Sequence, residues 1–216
     1  AGIGISALGP APVLVDRELE PLAPALLFSL DTRAETQRRR LQAELGLSDS
    51  DLNHDHAIPK LMWWAEQEPP WWSRVAWVMD ATGFLVSRLT GVPVMDRITL
   101  EDYTLVGRPC PIRTPAPVEP TDVIGPITLG WSERLGLRPG TPVFAGIYDS
   151  YADTAAADVL DEGDACLVLG STLIIAAVST EVPDQLDGLV SAPHLGAGRL
   201  IGGWTASGGT ALAWSR

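Results

Sequence analysis

Residues 141–149 read TPVFAGIYD, and this stretch decides the fold class. Thr141–Ala145 is a short apolar run and predicts a buried strand. Gly146 opens a turn, and the Ala-rich segment Tyr151–Val159 predicts a helix that packs closely through small side chains. Asp149 therefore lies at a strand-to-helix turn. Local sequence equally supports a second interpretation, in which Asp149 only caps that helix.

Two further Gly-containing turns follow apolar strands closer to the end of the sequence. Ala165–Leu169 and Leu173–Val178 predict a β-hairpin joined by the turn 170–172, and the Gly-rich stretch 206–210 follows a later apolar run. Phosphate oxygens need unhindered backbone N–H groups and hydroxyls, which such turns supply. Each turn alone is more often only a tight turn. Together with Asp149 they predict phosphoryl transfer, in which one carboxylate accepts the proton of the attacking hydroxyl.

The first part of the sequence predicts two short strands, a loop and a helix. Ala1–Ser6 and Val13–Asp16 are the strands, and the Gly and Pro residues of the loop Ala7–Pro12 make it a place where a ligand could bind. The residues Thr32-Arg33-Ala34-Glu35 have a capping-box pattern, which predicts that a helix starts there. Gly46 is its expected stop.

The middle of the sequence predicts a long helical stretch and a connector. Lys60 to Thr90 has helical spacing of its apolar residues, with a break at Pro69-Pro70 and a second candidate break near Asp80 or Gly83, and Gly91 closes it. Pro109–Pro126 is Pro-rich and aperiodic, so it predicts an extended connector.

Three other groups of residues favour structural interpretations. His54-Asp55-His56 has a spacing that could bind a metal, but its polar surroundings favour a solvated loop, and we predict no metal site made of protein ligands. Trp63-Trp64 and Trp71-Trp72 could stack on sugar rings, but adjacent side chains on a helix point in different directions, which favours core or interface packing. Arg38-Arg39-Arg40 is most simply a solvated helix face.

Composition places the sequence among ordinary soluble globular proteins of one or two domains. It has 216 residues, of which 46% are hydrophobic and 19% charged. The excess of 27 acidic over 15 basic residues gives a net charge of −12, which disfavours nucleic acid as a partner. No stretch has the pattern of a membrane span or a signal peptide, so no membrane partner is expected. Cys110 and Cys166 lack metal-ligand spacing and predict buried thiols, a usage that fits a reducing cytoplasm.

Six segments, in this order, resemble the FGGY carbohydrate kinases. This family includes xylulose, ribulose, fuculose and glycerol kinases, which have two actin-like (ribonuclease H-like) domains around a cleft and transfer the γ-phosphate of MgATP to a sugar hydroxyl. The resemblance implies an α/β, actin-like ATPase fold, with a sugar-binding lobe over 1–158 that lacks its first strands and the beginning of an ATP-binding lobe over 159–216. The six segments are Leu30–Arg33, Pro59–Pro69, Arg88–Gly91, Thr141–Asp149, Leu169–Thr172 and Ser207–Trp214.

The resemblance assigns roles to the carboxylate and to the Gly-containing turns. Asp149 matches the general base that deprotonates the acceptor hydroxyl and also contacts the substrate. Gly170 and Ser171 match a Gly-Thr turn that touches the ATP phosphates, with Thr172 beside them, and Gly209 matches a glycine near the nucleotide. ATP and Mg²⁺ are therefore the implied cofactors.

The resemblance also points to two groups of substrate-binding residues. Leu8, Gly9 and Pro10 lie in the loop that carries a Met-His pair in xylulose kinases and an Arg-Glu pair in glycerol kinases. Neither pair is present, so those two specificities lose support, while a pentulose or a related polyol stays open. Asp31 and Arg33 resemble an acidic and a basic position of the family. Asp31 has an equally supported alternative as a helix-entry residue.

Two features of the family lie outside the sequence. These are the first phosphate-contacting turn, Asp-Gly-Thr, and a Gly-rich segment that binds adenine, so we expect a partial chain. An ATP-dependent sugar kinase is the leading interpretation, and a noncatalytic, truncated sugar-binding or interaction module is the alternative. The expected partners are a sugar and ATP, and a homodimer is left open.

Overall fold

The computed structural model describes residues 1–27, 30–49, 51–105, 110–170, 173–183, 186, 188–205, 208 and 214. The chain divides into two compact units, Ala1–Asp149 and Ser150–Arg216. Across these described ranges, no helix has both the length and the apolar character that crossing a bilayer requires.

The described residues of the first unit form a mixed α/β structure with three small sheets. Strand β1 pairs antiparallel with β2, β3 pairs parallel with β4, and β5 pairs antiparallel with β6. The strands are β1 (Val13–Val15), β2 (Trp77–Met79), β3 (Met95–Asp96), β4 (Pro117–Val118), β5 (Val123–Pro126) and β6 (Pro142–Phe144). The helices are α1 (Glu35–Leu45), α2 (Ala57–Gln67), α3 (Ala81–Thr90), α4 (Arg97–Glu101) and α5 (Leu129–Leu135), with a 3₁₀ turn at Trp72–Arg74.

The pair β1–β2 lies at the centre of the apolar core. Leu14 pairs with Val78, and both side chains belong to one buried cluster. Val13, Val15 and Met79 belong to a second cluster that contains neither Leu14 nor Val78. Because both faces of these short strands are buried, their sequences are apolar without alternation. The first cluster consists of Leu14, Leu26, Ala57, Leu61, Val78, Met95, Tyr103 and Ile112.

Helix α1 begins later than the capping-box pattern predicts. Its N-cap is Ala34, which makes no side-chain capping bond, so the predicted role of Thr32 is wrong. The turn before the helix is instead organised by Asp31, whose Oδ1 accepts a hydrogen bond from the Arg33 N–H at 3.2 Å. The predicted stop is confirmed, because Gly46 adopts the left-handed conformation with φ 69°.

The predicted helical stretch from Lys60 to Thr90 is wrong in its middle. Strand β2 occupies Trp77–Met79, between α2 and α3. A run of three apolar residues satisfies helical spacing as easily as strand pairing, so periodicity cannot distinguish a helix from a strand here. The predicted end at Gly91 is confirmed, since this residue caps α3 with φ 78°.

Two other predicted elements differ from the structure. Ala1–Ser6 forms only an isolated bridge, between Ile3 and Val143, although it runs beside β6. The predicted connector contains β4 and β5 within its described residues. Pro117, Pro120 and Pro126 did not prevent pairing because proline is tolerated in edge strands and at strand ends.

Helix α6 (Asp149–Ala156) begins at the boundary between the units, where the sequence predicts a helix. The described part of the second unit forms a four-stranded antiparallel sheet in the order β7-β8-β10-β9. The predicted hairpin is confirmed, because Leu169 of β7 pairs with Leu173 of β8. The strands are β7 (Ala165–Leu169), β8 (Leu173–Ser179), β9 (Val190–Pro193) and β10 (Arg199–Thr205).

Candidate active site

Asp149 is the first residue of α6, and it is exposed. Its backbone N–H donates a hydrogen bond of 2.9 Å to the carbonyl oxygen of Ala7, and the Ile147 N–H donates one of 3.3 Å to Ile5. The turn between strand and helix needs Gly146, whose φ is 69° and where a Cβ would lie 2.1 Å from the Ile5 carbonyl oxygen. The loop that follows Ile5 is therefore held against the candidate base.

The predicted substrate loop Leu8–Pro10 lies next to the candidate base. Gly9 is buried against Tyr148, and a Cβ on Gly9 would lie 2.6 Å from the Cβ and Cγ of that tyrosine. Leu8 is 46% exposed, whereas Pro10 is buried. The structure thus brings the predicted loop and the predicted base together within the first unit.

The N-terminal end of α3 holds both ends of this loop. The Ala11 N–H donates to Asp80 Oδ1 at 2.7 Å, and the Ala7 N–H donates to Thr82 Oγ1 at 3.2 Å. Asp80 is 1% exposed. Burial raises the pKa of Asp80 to about 7, although the hydrogen bonds from Ala11 and Tyr103 act in the opposite direction.

Sequence reasoning missed a network of two tyrosines and two carboxylates behind the loop, in which Asp80, Tyr103 and Tyr148 are buried and Asp102 is half-buried. The Tyr103 hydroxyl donates to Asp80 Oδ1 at 3.0 Å, and the Tyr148 hydroxyl donates to Asp102 Oδ2 at 3.1 Å. Asp102 and Tyr103 are neighbours in the turn after α4. Burial raises the pKa of Asp102 to about 7 and that of Tyr103 well above its usual range. We call Asp80, Asp102, Tyr103 and Tyr148 the tyrosine–carboxylate network. The only sequence signal near it is a helix break at Asp80.

Asp31 and Arg33, the second predicted substrate group, form a mutual ion pair. Arg33 Nε donates to Asp31 Oδ1 at 3.0 Å, and its terminal nitrogen donates to Oδ2 at 2.5 Å. The guanidinium lies 4.3 Å from the ring centroid of Trp63. The hydrogen bond from Arg33 lowers the pKa of Asp31. Because Asp31 also accepts the backbone N–H of Arg33, part of its role is to order the helix entry.

Helix α2 supports the segment that carries this ion pair. Lys60 is 2% exposed, and its Nζ donates to the carbonyl oxygen of Leu27 at 3.0 Å. Trp64 makes edge contacts with Trp63 and Trp71 at centroid distances of 4.8 and 4.9 Å, and it packs on the apolar core. The packing interpretation of the tryptophans is therefore confirmed for Trp64 and Trp71.

The predicted nucleotide turns lie in the second unit. Gly170 is exposed at the end of β7, while Ser171, Thr172 and Gly209 lie outside the described residues. Thr205 at the end of β10 pairs with Leu173 at the start of β8. A Cβ on Gly208 would lie 2.7 Å from the Leu173 backbone nitrogen. Among the described residues, the end of β10 and Gly208 therefore both lie next to Leu173 at the start of β8.

Structural comparison defines the class of fold. The crystal structure of xylulose kinase from Rhodospirillum rubrum matches with a TM-score of 0.83 and 26% identity, covering 99% of this chain and 48% of that one. A crystal structure of Plasmodium falciparum glycerol kinase with ADP matches at a TM-score of 0.81 and 17% identity, covering 99% and 48%. The chain has the mixed α/β fold of the actin-like sugar and glycerol kinases, as the motifs imply.

Sequence comparison finds relatives that are named as sugar kinases. The L-xylulose/3-keto-L-gulonate kinase of Escherichia coli (strain K12) is 28% identical over 205 residues, which cover 85% of this chain and 41% of that protein. The resemblance to FGGY-type sugar kinases is thereby confirmed, with relatives named xylulose kinase and L-xylulose kinase. No protein-family model matches the chain. The chain spans about half the length of the proteins that it matches.

Proposed function

We propose that the full-length protein carrying this chain transfers the γ-phosphate of MgATP to a hydroxyl of a sugar, either a pentulose or a related polyol. The observation that carries the proposal is the position of Asp149. Asp149 is exposed at the start of α6, and its backbone N–H donates a hydrogen bond to the carbonyl oxygen of Ala7, at the start of the loop that contains Leu8–Pro10. The names of the relatives, which are kinases acting on sugars, support the same reaction class.

In this proposal Asp149 is the general base. Its carboxylate accepts the proton of the acceptor hydroxyl as that oxygen bonds to the γ-phosphorus. The bond between the γ-phosphorus and the bridging oxygen to the β-phosphate breaks, ADP leaves with that oxygen, and the proton ends on Asp149. Leu8–Pro10 line the acceptor site, where buried Gly9 and Pro10 fix the backbone and exposed Leu8 contacts the sugar. Asp31 and Arg33 orient sugar hydroxyls, since a carboxylate and a guanidinium together provide acceptors and donors.

ATP supplies the phosphoryl group in this proposal. Gly208, next to the predicted nucleotide-binding Gly209, lies so close to Leu173 that a Cβ would be 2.7 Å from the Leu173 backbone nitrogen, so this position needs glycine. Gly170, Ser171, Thr172 and Gly209 would hold the nucleotide phosphates together with Mg²⁺. In the same proposal, 1–158 serves the sugar and 159–216 begins the ATP-binding lobe. Cys110 and Cys166 are free thiols, but both are only half-buried, so the prediction that they are buried is wrong; free thiols are usual in the cytoplasm, which is the location we propose.

The test compares two aspartates on one helix in the full-length protein. Asp149→Asn is expected to lower kcat by about a hundredfold or more, because loss of a general base removes that much catalysis. Asp153→Asn changes an exposed carboxylate one turn further along α6 and is expected to leave kcat within about twofold, as surface substitutions usually do. An ADP-release assay over pentuloses, hexuloses and polyols measures both variants and identifies the acceptor.

The ADP-release assay, together with calorimetry, distinguishes a sugar kinase from a noncatalytic sugar-binding module. Near-normal turnover of Asp149→Asn contradicts its role as the base. Sugar binding in calorimetry without ADP release from any acceptor would favour a noncatalytic sugar-binding module instead. The comparisons do not favour that alternative, because the relatives are named as kinases.

A further inference from the structure

The turn after α4 joins two parts of the candidate site that are far apart in sequence. Tyr103 donates a hydrogen bond of 3.0 Å to Asp80 Oδ1, which also holds the Ala11 N–H at the end of the substrate loop. The adjacent residue, Asp102, accepts a hydrogen bond of 3.1 Å from Tyr148, which precedes the candidate base. One turn thus reaches both the loop and the base.

Burial restricts the side chains that link the turn after α4 to the loop and to the candidate base. Tyr103 is fully buried and Asp80 is 1% exposed, so neither side chain has room for another rotamer. Tyr148 is 9% exposed and forms the surface against which Gly9 packs. A displacement of the α4 turn would therefore move the end of the loop through Asp80 and its middle through Tyr148.

We propose that Asp102 and Tyr103 are positioning residues that hold the loop Leu8–Pro10 and Asp149 at a fixed separation for phosphoryl transfer. This inference rests on the proposed function. Each residue acts through a partner: Asp102 through Tyr148, and Tyr103 through Asp80. Misplacement of reacting groups by even about 1 Å can lower rates by two orders of magnitude, so two hydroxyl bonds are enough to affect catalysis.

The first test removes one hydroxyl at a time in the full-length protein. Tyr103→Phe and Tyr148→Phe keep the ring, and each is expected to lower kcat about tenfold while KM for ATP stays within about twofold. Ser132→Ala is the matched control, because it also removes a buried hydroxyl bond, from Ser132 Oγ to the Leu129 carbonyl in α5. We expect this control to lose similar thermal stability but no activity. Equal losses of kcat in all three variants would overturn the positioning role.

The second test does not depend on activity. Amide hydrogen exchange is measured at Ala11, whose N–H binds Asp80, and at Asp149, whose N–H binds Ala7. Coupling through the α4 turn predicts that Tyr148→Phe accelerates exchange at Ala11 and that Tyr103→Phe accelerates exchange at Asp149, whereas Ser132→Ala does neither. Effects confined to the nearer amide would contradict coupling. A wild-type protein that phosphorylates no acceptor would instead contradict the proposed function, so the two failures are distinguishable.

Discussion

The two segments predicted to contact the sugar are held in place by different interactions. Loop Leu8–Pro10 is fixed from behind by buried groups, namely the Asp80 carboxylate at its end and the Tyr148 ring under Gly9. Asp31 and Arg33 are held by one ion pair and a tryptophan face, and solvent reaches this pair from the Arg33 side, since the Arg33 side chain is 50% exposed and that of Asp31 is 12% exposed. Buried hydrogen bonds are costly to break, whereas surface ion pairs contribute about 0–1 kcal/mol. Changes at the first segment should therefore affect both folding and activity, and changes at the second mainly activity.

The largest expected effect on stability comes from filling the space between Gly9 and Tyr148. A methyl group at Gly9→Ala would lie 2.6 Å from the Tyr148 Cβ, so the loop or the ring must move. We expect the free energy of unfolding to fall by about 2 to 3 kcal/mol, as overpacking in a core does. The change should also lower kcat/KM for the sugar at least about tenfold, by displacing the loop. Denaturant unfolding and steady-state kinetics measure both effects.

Gly4→Ala is the control for this comparison. Gly4 precedes the same loop, and a Cβ there would have no atom within 4 Å. Unchanged stability and activity are expected for it. If Gly9→Ala behaves like Gly4→Ala, the contact between the loop and Tyr148 does not fix the loop.

The second prediction concerns the pH dependence of stability. Burial raises the pKa of Asp80 and of Asp102 from its usual value of 3.8 to about 7, so the folded protein holds these protons where the unfolded chain has released them. The free energy of unfolding should therefore fall as pH rises from about 5 to about 8, by about 2 kcal/mol or more. Denaturant unfolding across this range measures the slope.

Asp80→Asn isolates the part of this pH dependence that comes from ionisation of Asp80. The amide cannot ionise, and its oxygen can accept the bonds from Ala11 and Tyr103, so the fall in stability with pH should become shallower. Asp31→Asn is the contrasting variant, because the pKa of Asp31 is lowered by Arg33 and this group stays ionised throughout the range. A slope that Asp80→Asn leaves unchanged would show that the buried carboxyl does not titrate there.

The difference between the two regions also explains which features the sequence predicts. The strand, turn and helix around Asp149 are encoded within a few residues, by an apolar run, Gly146 and an Ala-rich segment, and all three were predicted. The bond from Ala11 to Asp80 joins residues 69 apart, and that from Tyr148 to Asp102 joins residues 46 apart. No local pattern carries such pairings, because they arise only when distant elements pack.

Short elements set a second limit on prediction. Strand β2 has three residues, and its partner β1 also has three, with both faces buried. Without alternation, the apolar run at Trp77–Met79 continues the helical spacing of its neighbours, and only pairing with β1 makes it a strand. Asp80 follows this strand directly. Because the sequence does not predict the strand, it also does not predict that the Asp80 carboxylate is buried and holds the loop.

The smallest expected effect on stability is that of Arg33→Ala. This substitution removes the ion pair with Asp31 and the stacking on Trp63. Because the Arg33 side chain is 50% exposed and solvent screens the pair, the free energy of unfolding should fall by less than about 1 kcal/mol. KM for the sugar should nevertheless rise about tenfold with kcat nearly unchanged, because a lost charged hydrogen bond to the sugar weakens ground-state binding. Arg39→Ala is the control, since it removes an exposed ion pair with Glu35 on α1. If both arginine variants keep the wild-type KM for the sugar, Arg33 and Asp31 only order the residues that precede α1. The predicted substrate contacts of the first unit are then those of the loop Leu8–Pro10.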